Sequence, residues 1–317
     1  MNKDSIKVGL AQISPVWLDK KNTISKIEDY INNAADQKCQ LVVFGEALLP
    51  GYPFWVEFTE GAKFNAPIQK ELFAYYMSQS IQPYSQDLDS IRKLSKDKKI
   101  AIVLGSIERA ADRGGHSLYC SLLYINSAGE IQSVHRKLMP TYEERLVWSP
   151  GDGHGLRVHP LGPFTMGALN CWENWMPLPR ATLYGLGEDL HVAVWPGSKR
   201  NTIDITRFIA QESRSYVISV SALMHKKNIG EDLPHAKLML ENCPDIMADG
   251  GSCLAAPDGT WIIEPVQNKE VLLTAEISHQ HVKEERQNFD PSGHYSRPDV
   301  TELHVNRKRQ NILKFEE

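Results

Sequence analysis

Near the middle of the chain, a cysteine follows a short apolar run in the stretch Phe164-Thr165-Met166-Gly167-Ala168-Leu169-Asn170-Cys171-Trp172-Glu173-Asn174. A buried strand that leads into a helix start bounded by Pro177 would leave Cys171 at a sharp strand-to-helix turn. Backbone N–H groups at the head of a helix favour a thiolate and can hold an oxyanion. Most free cysteines are nevertheless packed core thiols, so these residues alone favour a structural role over a nucleophile.

Outward from this stretch, strand and helix patterns alternate along the chain. Continuous apolar runs predict buried strands, and helical spacing of apolar residues predicts a helix from Asn22-Thr23 to about Gln37. Residues 226–249 are polar and irregular, which indicates a surface excursion. The predicted strands are 7–13, 41–44, 100–105, 118–125, 131–136, 164–169, 190–195, 216–221, 252–256, 261–266 and 271–277. This order predicts one α/β domain in which two sheets are covered by helices.

Composition limits the classes of function. The 317 residues are 42% hydrophobic and 23% charged, as in ordinary globular proteins, and the net charge of −4 argues against a nucleic-acid partner. Neither a signal peptide nor an apolar run of membrane-spanning length is apparent, so no membrane partner is expected. The five cysteines form no CxxC pair, which favours free thiols in a reducing, cytoplasmic compartment. The scattered histidines predict no metal site, and we expect no cofactor.

Two further charged residues stand at the ends of predicted strands. Glu46 follows the strand at 41–44, and Lys137 follows the hairpin arm at 131–136. A carboxylate at the tip of a buried strand is costly unless it is partnered or used, although Glu46 alone is more simply an exposed loop residue. Together with Cys171, the spacing of these residues suits a Cys-Glu-Lys catalytic triad.

Several longer motifs occur in register with these three residues. They are Phe44-Gly45-Glu46-Ala47, Gly51-Tyr52-Pro53, His135-Arg136-Lys137-Leu138-Met139-Pro140-Thr141, Glu144-Arg145-Leu146-Val147-Trp148, Gly151-Asp152-Gly153, Cys171-Trp172-Glu173-Asn174, Gly250-Gly251-Ser252 and the segment 290–299. On these motifs the chain resembles the nitrilase superfamily of carbon–nitrogen hydrolases, and specifically its nitrilase branch. The resemblance extends from about residue 6 to residue 300.

The resemblance implies a four-layer αββα sandwich as a single domain over residues 1–300, followed by a short tail at 301–317. It also implies a homodimer or larger homo-oligomer and hydrolysis of non-peptide carbon–nitrogen bonds. By the same resemblance, Cys171 is the nucleophile, Glu46 the general base and acid, and Lys137 the cation that stabilises the intermediate. Glu144 matches the family's second glutamate, which supports the geometry around Lys137, while its neighbour Glu143 is expected to face solvent.

The chemistry of a nitrile explains these residue types. A nitrile carbon is a weak electrophile, so a thiolate must attack it, and a covalent thioimidate and thioester divide the hydrolysis into easier steps. We therefore expect a nitrilase that releases a carboxylic acid and ammonia from a small-molecule nitrile. An amidase, a cyanide-hydrolysing enzyme and a catalytically silent assembly protein remain as alternatives.

Aromatic residues in or near the motif loops could form an apolar pocket or pack in the core. We predict Tyr52, Trp172 and Trp195 as substrate-binding residues. The other candidates for either role are Phe54, Trp148 and Trp175.

Overall fold

Two β-sheets form the centre of the molecule in this computed structural model, which describes residues 4–313. The strands are β1 (Ser5–Gln12), β2 (Leu41–Phe44), β3 (Ala101–Arg109), β4 (Leu118–Ile125), β5 (Ile131–Arg136), β6 (Val158–Leu161), β7 (Phe164–Asn170), β8 (Leu190–Trp195), β9 (Tyr216–Ser221), β10 (Leu223–His225), β11 (Ile246–Ala255), β12 (Trp261–Gln267) and β13 (Val271–Ser278). The first sheet has the order β13-β1-β2-β3-β4-β5, and the second has the order β10-β11-β9-β8-β7-β6, with β12 paired to β11.

Parallel pairing at the middle of each sheet determines where the strands end. β1, β2 and β3 are parallel in the first sheet, and β7, β8 and β9 are parallel in the second. β5 is antiparallel to β4, which is antiparallel to β3, so β5 runs in the direction of β2. Because parallel strands end at one edge of their sheet, residues that follow β2 and β5 lie at the same end of the first sheet. β7 belongs to the second sheet, so its following residue can meet them only across the two layers.

The two sheets pack face to face through one apolar core. Val8 and Val43 of the first sheet belong to the same buried cluster as Met166 and Val192 of the second. Val42 points the other way, into a second cluster that the first sheet shares with its helices. Strands with both faces covered are expected to be continuously apolar, which explains the sequence of β2.

Helices cover the outer faces of the sandwich. They are α1 (Lys20–Asp36), α2 (Trp55–Phe58), α3 (Pro67–Gln79), α4 (Asp89–Lys98), α5 (Pro177–Gly185), α6 (Lys199–Thr202), α7 (Ile205–Ser213), α8 (Ala236–Asn242) and α9 (His279–Arg286). α1 packs on the first sheet through residues at helical spacing such as Ile27 and Ile31, and α7 packs on the second through Ile205 and Ile209. The predicted four-layer αββα sandwich is therefore confirmed.

The start of α1 differs from the prediction. The helix begins at Lys20, because the side chain of Asp19 caps it by accepting a hydrogen bond of 3.0 Å from the backbone N–H of Asn22. An aspartate is as good an N-cap as the asparagine that was predicted. Thr23 instead points inward, fully buried, and donates to the carbonyl of Val16 at 2.9 Å.

Residues 226–249 are more than the surface excursion that the sequence indicated. They contain α8 and the first residues of β11, and Met239 is wholly buried. Leu233, Ala236 and Met239 share a cluster with Trp55 of α2. A single buried face on a seven-residue helix is too short a pattern to stand out in a polar sequence.

Near its end, the short tail contacts the sandwich domain. Arg309 donates to a carboxylate oxygen of Asp152 at 3.0 Å, and the backbone N–H of Gln310 donates to the other oxygen at 3.0 Å. Part of the predicted tail, residues 314–317, lies outside the described residues, and the boundary at residue 300 stays a prediction. Within residues 4–313, no helix has both the length and the apolar character needed to span a bilayer.

Candidate active site

The ends of three strands bring together the side chains that the sequence singled out. Glu46 follows β2, Lys137 follows β5 and Cys171 follows β7. A carboxylate oxygen of Glu46, one of Glu144 and the sulfur of Cys171 all lie within 4.8 Å of one another. The first sheet thus supplies the carboxylate of Glu46 and the ammonium of Lys137, and the second sheet supplies the thiol.

Lys137 lies between the two carboxylates. Its Nζ donates to Glu46 Oε1 at 2.8 Å and to Glu144 Oε2 at 2.7 Å, and all three side chains are at most 1% exposed. Glu144 Oε2 also accepts a hydrogen bond of 2.6 Å from the backbone N–H of Thr141. The two carboxylates and the thiol are close enough together to resemble a set of metal ligands. Here, however, the ammonium of Lys137 already supplies the positive charge that buried carboxylates require.

The buried carboxyl of Glu46 is set up to exchange a proton near neutral pH. Burial raises the pKa of Glu46 to about 7, against the opposing effect of Lys137, while Glu144 raises it further. Glu46 Oε2 is buried and has no hydrogen-bond partner in the described part of the chain. One lone pair of the carboxylate is therefore free to accept a proton from the thiol or from water.

Cys171 occupies a strained turn rather than the head of an α-helix. Its φ is +48°, in the left-handed region that side chains disfavour, and it opens a 3₁₀ segment, Cys171–Trp175, before α5 begins. Burial raises the pKa of Cys171 well above its ordinary value, and Glu46 adds to this, while Lys137 and the N–H of Trp172 oppose it. The raised pKa opposes formation of the thiolate, so a base is needed to take the thiol proton during attack.

Buried polar groups hold this turn in place. Glu173 accepts hydrogen bonds from the backbone N–H groups of Leu138 at 2.6 Å and Asn170 at 2.8 Å. His135 Nε2 lies 3.0 Å from Glu173 Oε2. Burial raises the pKa of Glu173, but His135 and these N–H groups outweigh it, so the pKa is below its ordinary value. The pair ties β5 of the first sheet to the turn that carries Cys171.

A second row of buried hydrogen-bonded side chains supports the same turn. Asn174 Nδ2 donates to the carbonyl of Cys171 at 2.8 Å, so its Oδ1 faces His191 Nε2, also at 2.8 Å. His191 Nδ1 lies 2.9 Å from Glu188 Oε1, and these side chains are wholly buried. Because Asn174 Oδ1 can only accept, His191 Nε2 must carry a proton.

Cys120 is part of this centre, although no sequence pattern predicted it. Its Sγ donates to Glu46 Oε1 at a distance of 3.4 Å, and its carbonyl accepts from the backbone N–H of Lys137 at 2.8 Å. The register of the predicted hairpin explains this position. Its register pairs Ser121 with Arg136, which sets the preceding Cys120 beside Lys137.

An open cavity of about 610 Å³ leads to the nucleophile. Its lining residues are Tyr52, Phe54, Glu57, Thr141, Glu143, Glu144, Cys171, Trp172, Pro196, Gly197, Ser198, Arg200, Asn201, Met247 and Ala248. Glu46 and Lys137 are not among them, so both lie behind the wall that Cys171 and Glu144 form.

The three predicted substrate-binding aromatics divide between cavity and core. Tyr52 and Trp172 line the cavity, and Trp172 is 52% exposed. Trp195 does not line it, because its ring is wholly buried in the cluster of Ile205 and Ile209 under α7. As the last residue of β8, Trp195 presents its side chain to the outer helix layer, and the choice between the two faces of a strand is not visible in a continuously apolar sequence.

The other aromatic candidates divide in the same way. Phe54 lines the cavity, with its ring centroid 4.8 Å from that of Tyr52. Trp148 is 2% exposed and packs edge-on to Tyr52. Trp175 is outside the cavity lining, with its ring 6.4 Å from that of Trp172.

Tyr52 makes a contact that the sequence did not suggest. Its hydroxyl lies 2.7 Å from Glu143 Oε1 and 3.0 Å from Glu144 Oε1. Glu143 is half-buried and lines the cavity, whereas Glu144 is 1% exposed, so Glu143 is the more solvent-facing of the two but is not a free surface residue.

Comparison with known proteins identifies the family. Residues 7–287 match the family model described as carbon-nitrogen hydrolase. The chain is 32% identical to the aliphatic nitrilase of Sinorhizobium fredii over 308 residues, which cover 97% of each chain. It is 31% identical to the arylacetonitrilase of Aspergillus kawachii, with 95% of this chain and 92% of the relative covered.

The solved structures agree on the fold. Saccharomyces cerevisiae Nit3, a member of branch 10 of the nitrilase superfamily, superposes with a TM-score of 0.71 over 92% of this chain and 97% of Nit3, at 19% identity. The resemblance found in the sequence motifs is thereby confirmed. The chain belongs to the carbon-nitrogen hydrolase family, in its nitrilase branch.

Proposed function

We propose that this protein hydrolyses an organic nitrile to the carboxylic acid and ammonia through a covalent intermediate on Cys171. The observation that carries the proposal is the Lys137 ammonium, bonded to both Glu46 and Glu144, beside a thiol within 4.8 Å of both carboxylates. The names of the relatives, aliphatic nitrilase and arylacetonitrilase, support the same reaction.

The first half of the reaction forms a thioimidate. Glu46 Oε2, which has no other partner in the described residues, takes the proton of the Cys171 thiol as the sulfur adds to the nitrile carbon. Negative charge develops on nitrogen, and Lys137 stabilises it, an effect typically worth ~3 kcal/mol per donor. Glu46 then returns the proton to nitrogen, so the first step ends with a neutral thioimidate and an ionised Glu46.

The second half uses two water molecules. Glu46 takes a proton from the first water as it adds to the thioimidate carbon and gives it to the nitrogen, which leaves a tetrahedral intermediate with one hydroxyl and one amino group. Glu46 then moves the hydroxyl proton to the same nitrogen, which leaves as ammonia as the carbonyl of the thioester forms. The thioester that remains is attacked by a second water, activated in the same way, and the thiol is restored as the carboxylic acid leaves. One carboxyl with a pKa of about 7 is suited to act alternately as base and acid at neutral pH.

The cavity lining suggests how a substrate would lie. Phe54, Trp172 and Met247 offer apolar surface near Cys171. The charged groups on the cavity wall are Glu57, Glu143, Glu144 and Arg200. We propose that the apolar part of the nitrile contacts Phe54 and Trp172. The role of Tyr52 in binding substrate also stays a prediction.

Location and assembly remain proposals. We propose a cytoplasmic homodimer or larger homo-oligomer, as the sequence resemblance implies. Light scattering after gel filtration of the full chain measures the mass directly, and a monomer at all concentrations would contradict the oligomer.

The test of the function is a panel of aliphatic nitriles, arylacetonitriles and their amides, with ammonia, acid and amide all quantified. Nitriles are expected to give acid and ammonia in equal amounts. The Cys171→Ala chain should be inactive and should show no substrate-derived mass adduct, whereas Cys253→Ala, which removes a buried thiol outside the centre, should keep both. Turnover by Cys171→Ala, or turnover of amides alone by the unaltered chain, would refute the proposal.

A further inference from the structure

Glu46 can meet the substrate and the attacking water only in the space over Cys171. It is 1% exposed and is not among the residues that line the open cavity, which separates it from solvent. When a substrate or acyl group occupies the space over Cys171, this separation becomes more complete. A proton on Glu46 must then move through neighbouring groups.

A continuous row of hydrogen bonds leads from Glu46 to the cavity. Glu46 Oε1 is bonded to Lys137 Nζ at 2.8 Å, and Lys137 Nζ to Glu144 Oε2 at 2.7 Å. Glu144 Oε1 lies 3.0 Å from the Tyr52 hydroxyl, which lies 2.7 Å from Glu143 Oε1. Glu143 is the half-buried end of this row, and it lines both the catalytic cavity and a neighbouring one of about 500 Å³.

The Tyr52 hydroxyl links the two carboxylates. A phenol has one proton, and its oxygen is at hydrogen-bond distance from both Glu143 and Glu144. Its O–H can donate to either carboxylate, and its lone pairs can accept a proton that reaches Glu144.

We propose that Tyr52 and Glu143 form a proton relay that discharges Glu46 after each turnover, through Lys137 and Glu144, to the cavity. The proposal rests on the proposed hydrolysis. Once the thiol is restored, the carboxylic acid product, with a pKa of ~4, gives its own proton to the more basic Glu46 and leaves as the carboxylate. Glu46 must lose that proton before it can accept the next one from the Cys171 thiol.

The transfer balances without any other reactant. Glu46 gives a proton to Lys137, which gives one of its own to Glu144; Glu144 passes one to Tyr52, and Tyr52 passes its own to Glu143. Water then takes the proton from Glu143, and rotation of the hydroxyl and carboxyl groups restores the starting arrangement. Burial raises the pKa of Tyr52 well above its ordinary value, with Glu144 and Glu143 adding to the effect, so Tyr52 relays protons without being ionised.

Other charged groups surround the outer end of the relay. Glu57, on α2, faces Glu143, and Arg200 lines the same cavity. Glu60 and Lys63 line the neighbouring cavity. None of these four side chains has a hydrogen bond to Tyr52 among the described residues, so Glu143 is the group through which the relay meets solvent.

The test compares Glu143→Gln and Tyr52→Phe with the unaltered chain at saturating phenylacetonitrile, in increasing imidazole at constant pH and ionic strength. Gln keeps a donor to Tyr52 but cannot pass a proton. We expect kcat to fall about tenfold, less than the ~10²-fold cost of losing a direct acid–base group, because slower routes through water remain. Imidazole, a small proton carrier, should restore kcat. Glu231→Gln, on an exposed loop, is the matched control.

Two further comparisons separate a relay from a structural role. The double variant should lose no more than Tyr52→Phe alone, since one broken link stops the whole row. Glu143→Asp, which keeps a carboxyl, should recover part of the rate. An unchanged kcat in Glu143→Gln at low imidazole, or a loss that imidazole does not restore, would overturn the relay.

The failure of the relay can be told apart from the failure of the nitrilase proposal. The same variants are assayed with p-nitrophenyl acetate, an ester that acylates a thiol to the same kind of thioester without any nitrile. If phenylacetonitrile and all other nitriles are inert, the proposed function is wrong, but a shared loss of ester turnover in Glu143→Gln and Tyr52→Phe still supports the relay. The ester is assayed without imidazole, because imidazole itself cleaves p-nitrophenyl acetate. Ester turnover that is equal in all variants would refute the relay whether or not nitriles react.

Discussion

Removing the sulfur of Cys120 should shift the pH dependence of the reaction to higher pH. The Cys120 thiol donates to Glu46 Oε1 at 3.4 Å, and a hydrogen bond to the carboxylate favours its charged form. Cys120→Ala removes this donor, so the pKa of Glu46 should rise from its starting value of about 7. The base works when ionised, so the acid limb of kcat/KM should move upward by the same amount.

The size of the shift follows from the strength of the donor. A thiol is a weak donor, and an ordinary hydrogen bond contributes about 1 kcal/mol, which corresponds to about 0.7 pKa unit. At pH 7 the ionised fraction of Glu46 would fall from about one half to about one sixth, a loss of about threefold in kcat/KM. At a pH well above the acid limbs of both chains, the unaltered chain and Cys120→Ala should have the same kcat/KM.

The assay is kcat/KM for one nitrile across the pH range, because this ratio reports ionisation of the free enzyme. Cys253→Ala is the control, since it also removes a fully buried thiol, but one that contacts Thr206 Oγ1 at 3.5 Å in the second sheet. Its acid limb should coincide with that of the unaltered chain. If Cys120→Ala leaves the limb in place or moves it to lower pH, the assignment of Glu46 as the titrating base is wrong.

Four other substitutions, with Gly185→Ala as a control, test the centre and its supports. Lys137→Met should reduce kcat/KM by at least ~10²-fold, since it removes a donor to the developing charge. Its free energy of unfolding, measured by a thermal melt, should fall by about 3–5 kcal/mol, since two buried carboxylates lose their cation. Gly105→Ala should lower the urea midpoint, because its Cβ would lie 2.1 Å from a backbone oxygen in the segment after β2, an overlap that costs about 1–3 kcal/mol. Gly185→Ala, in open space at the end of α5, is its control and should be neutral or stabilising. Trp172→Ala should raise KM with little change in Tm, whereas Trp195→Ala should lower the free energy of unfolding by about 3–5 kcal/mol. Steady-state kinetics and thermal melts measure both effects. The reverse pattern would contradict the placement of Trp172 in the cavity and Trp195 in the core.

The meeting of Glu46, Lys137 and Cys171 could be predicted because each follows a strand. Short apolar runs identify buried strands, and parallel strands end at a common edge, so Glu46 and Lys137 are expected at one end of the first sheet. The packing of the second sheet against the first then brings Cys171 to them. The motif resemblance then supplied Glu144 and the sandwich. This reasoning works because it depends on strand direction, which alternation of strands and helices largely determines.

Contacts that depend on the path of a loop or on the face of a strand could not be predicted. Tyr52 reaches Glu143 and Glu144 because two loops of different parts of the chain lie against each other, and no local pattern encodes that contact. Trp195 lies in a strand whose faces are both apolar, so the sequence cannot show which face it occupies. The thiol state of Cys171 depends on total burial and on two neighbouring carboxylates, which are properties of the assembled site.

The division of the reacting groups between the two layers of the sandwich has a consequence for distant substitutions. The sulfur belongs to one layer and its proton acceptor to the other, so their separation is set by how the layers register across the interface that includes Val43 and Val192. Neither residue lines the cavity. A slight sliding at that interface would slow bond formation before any melting is detectable, and changes that correct the alignment would accelerate it. Selection for faster variants should therefore recover substitutions deep between the layers as well as around the mouth of the cleft.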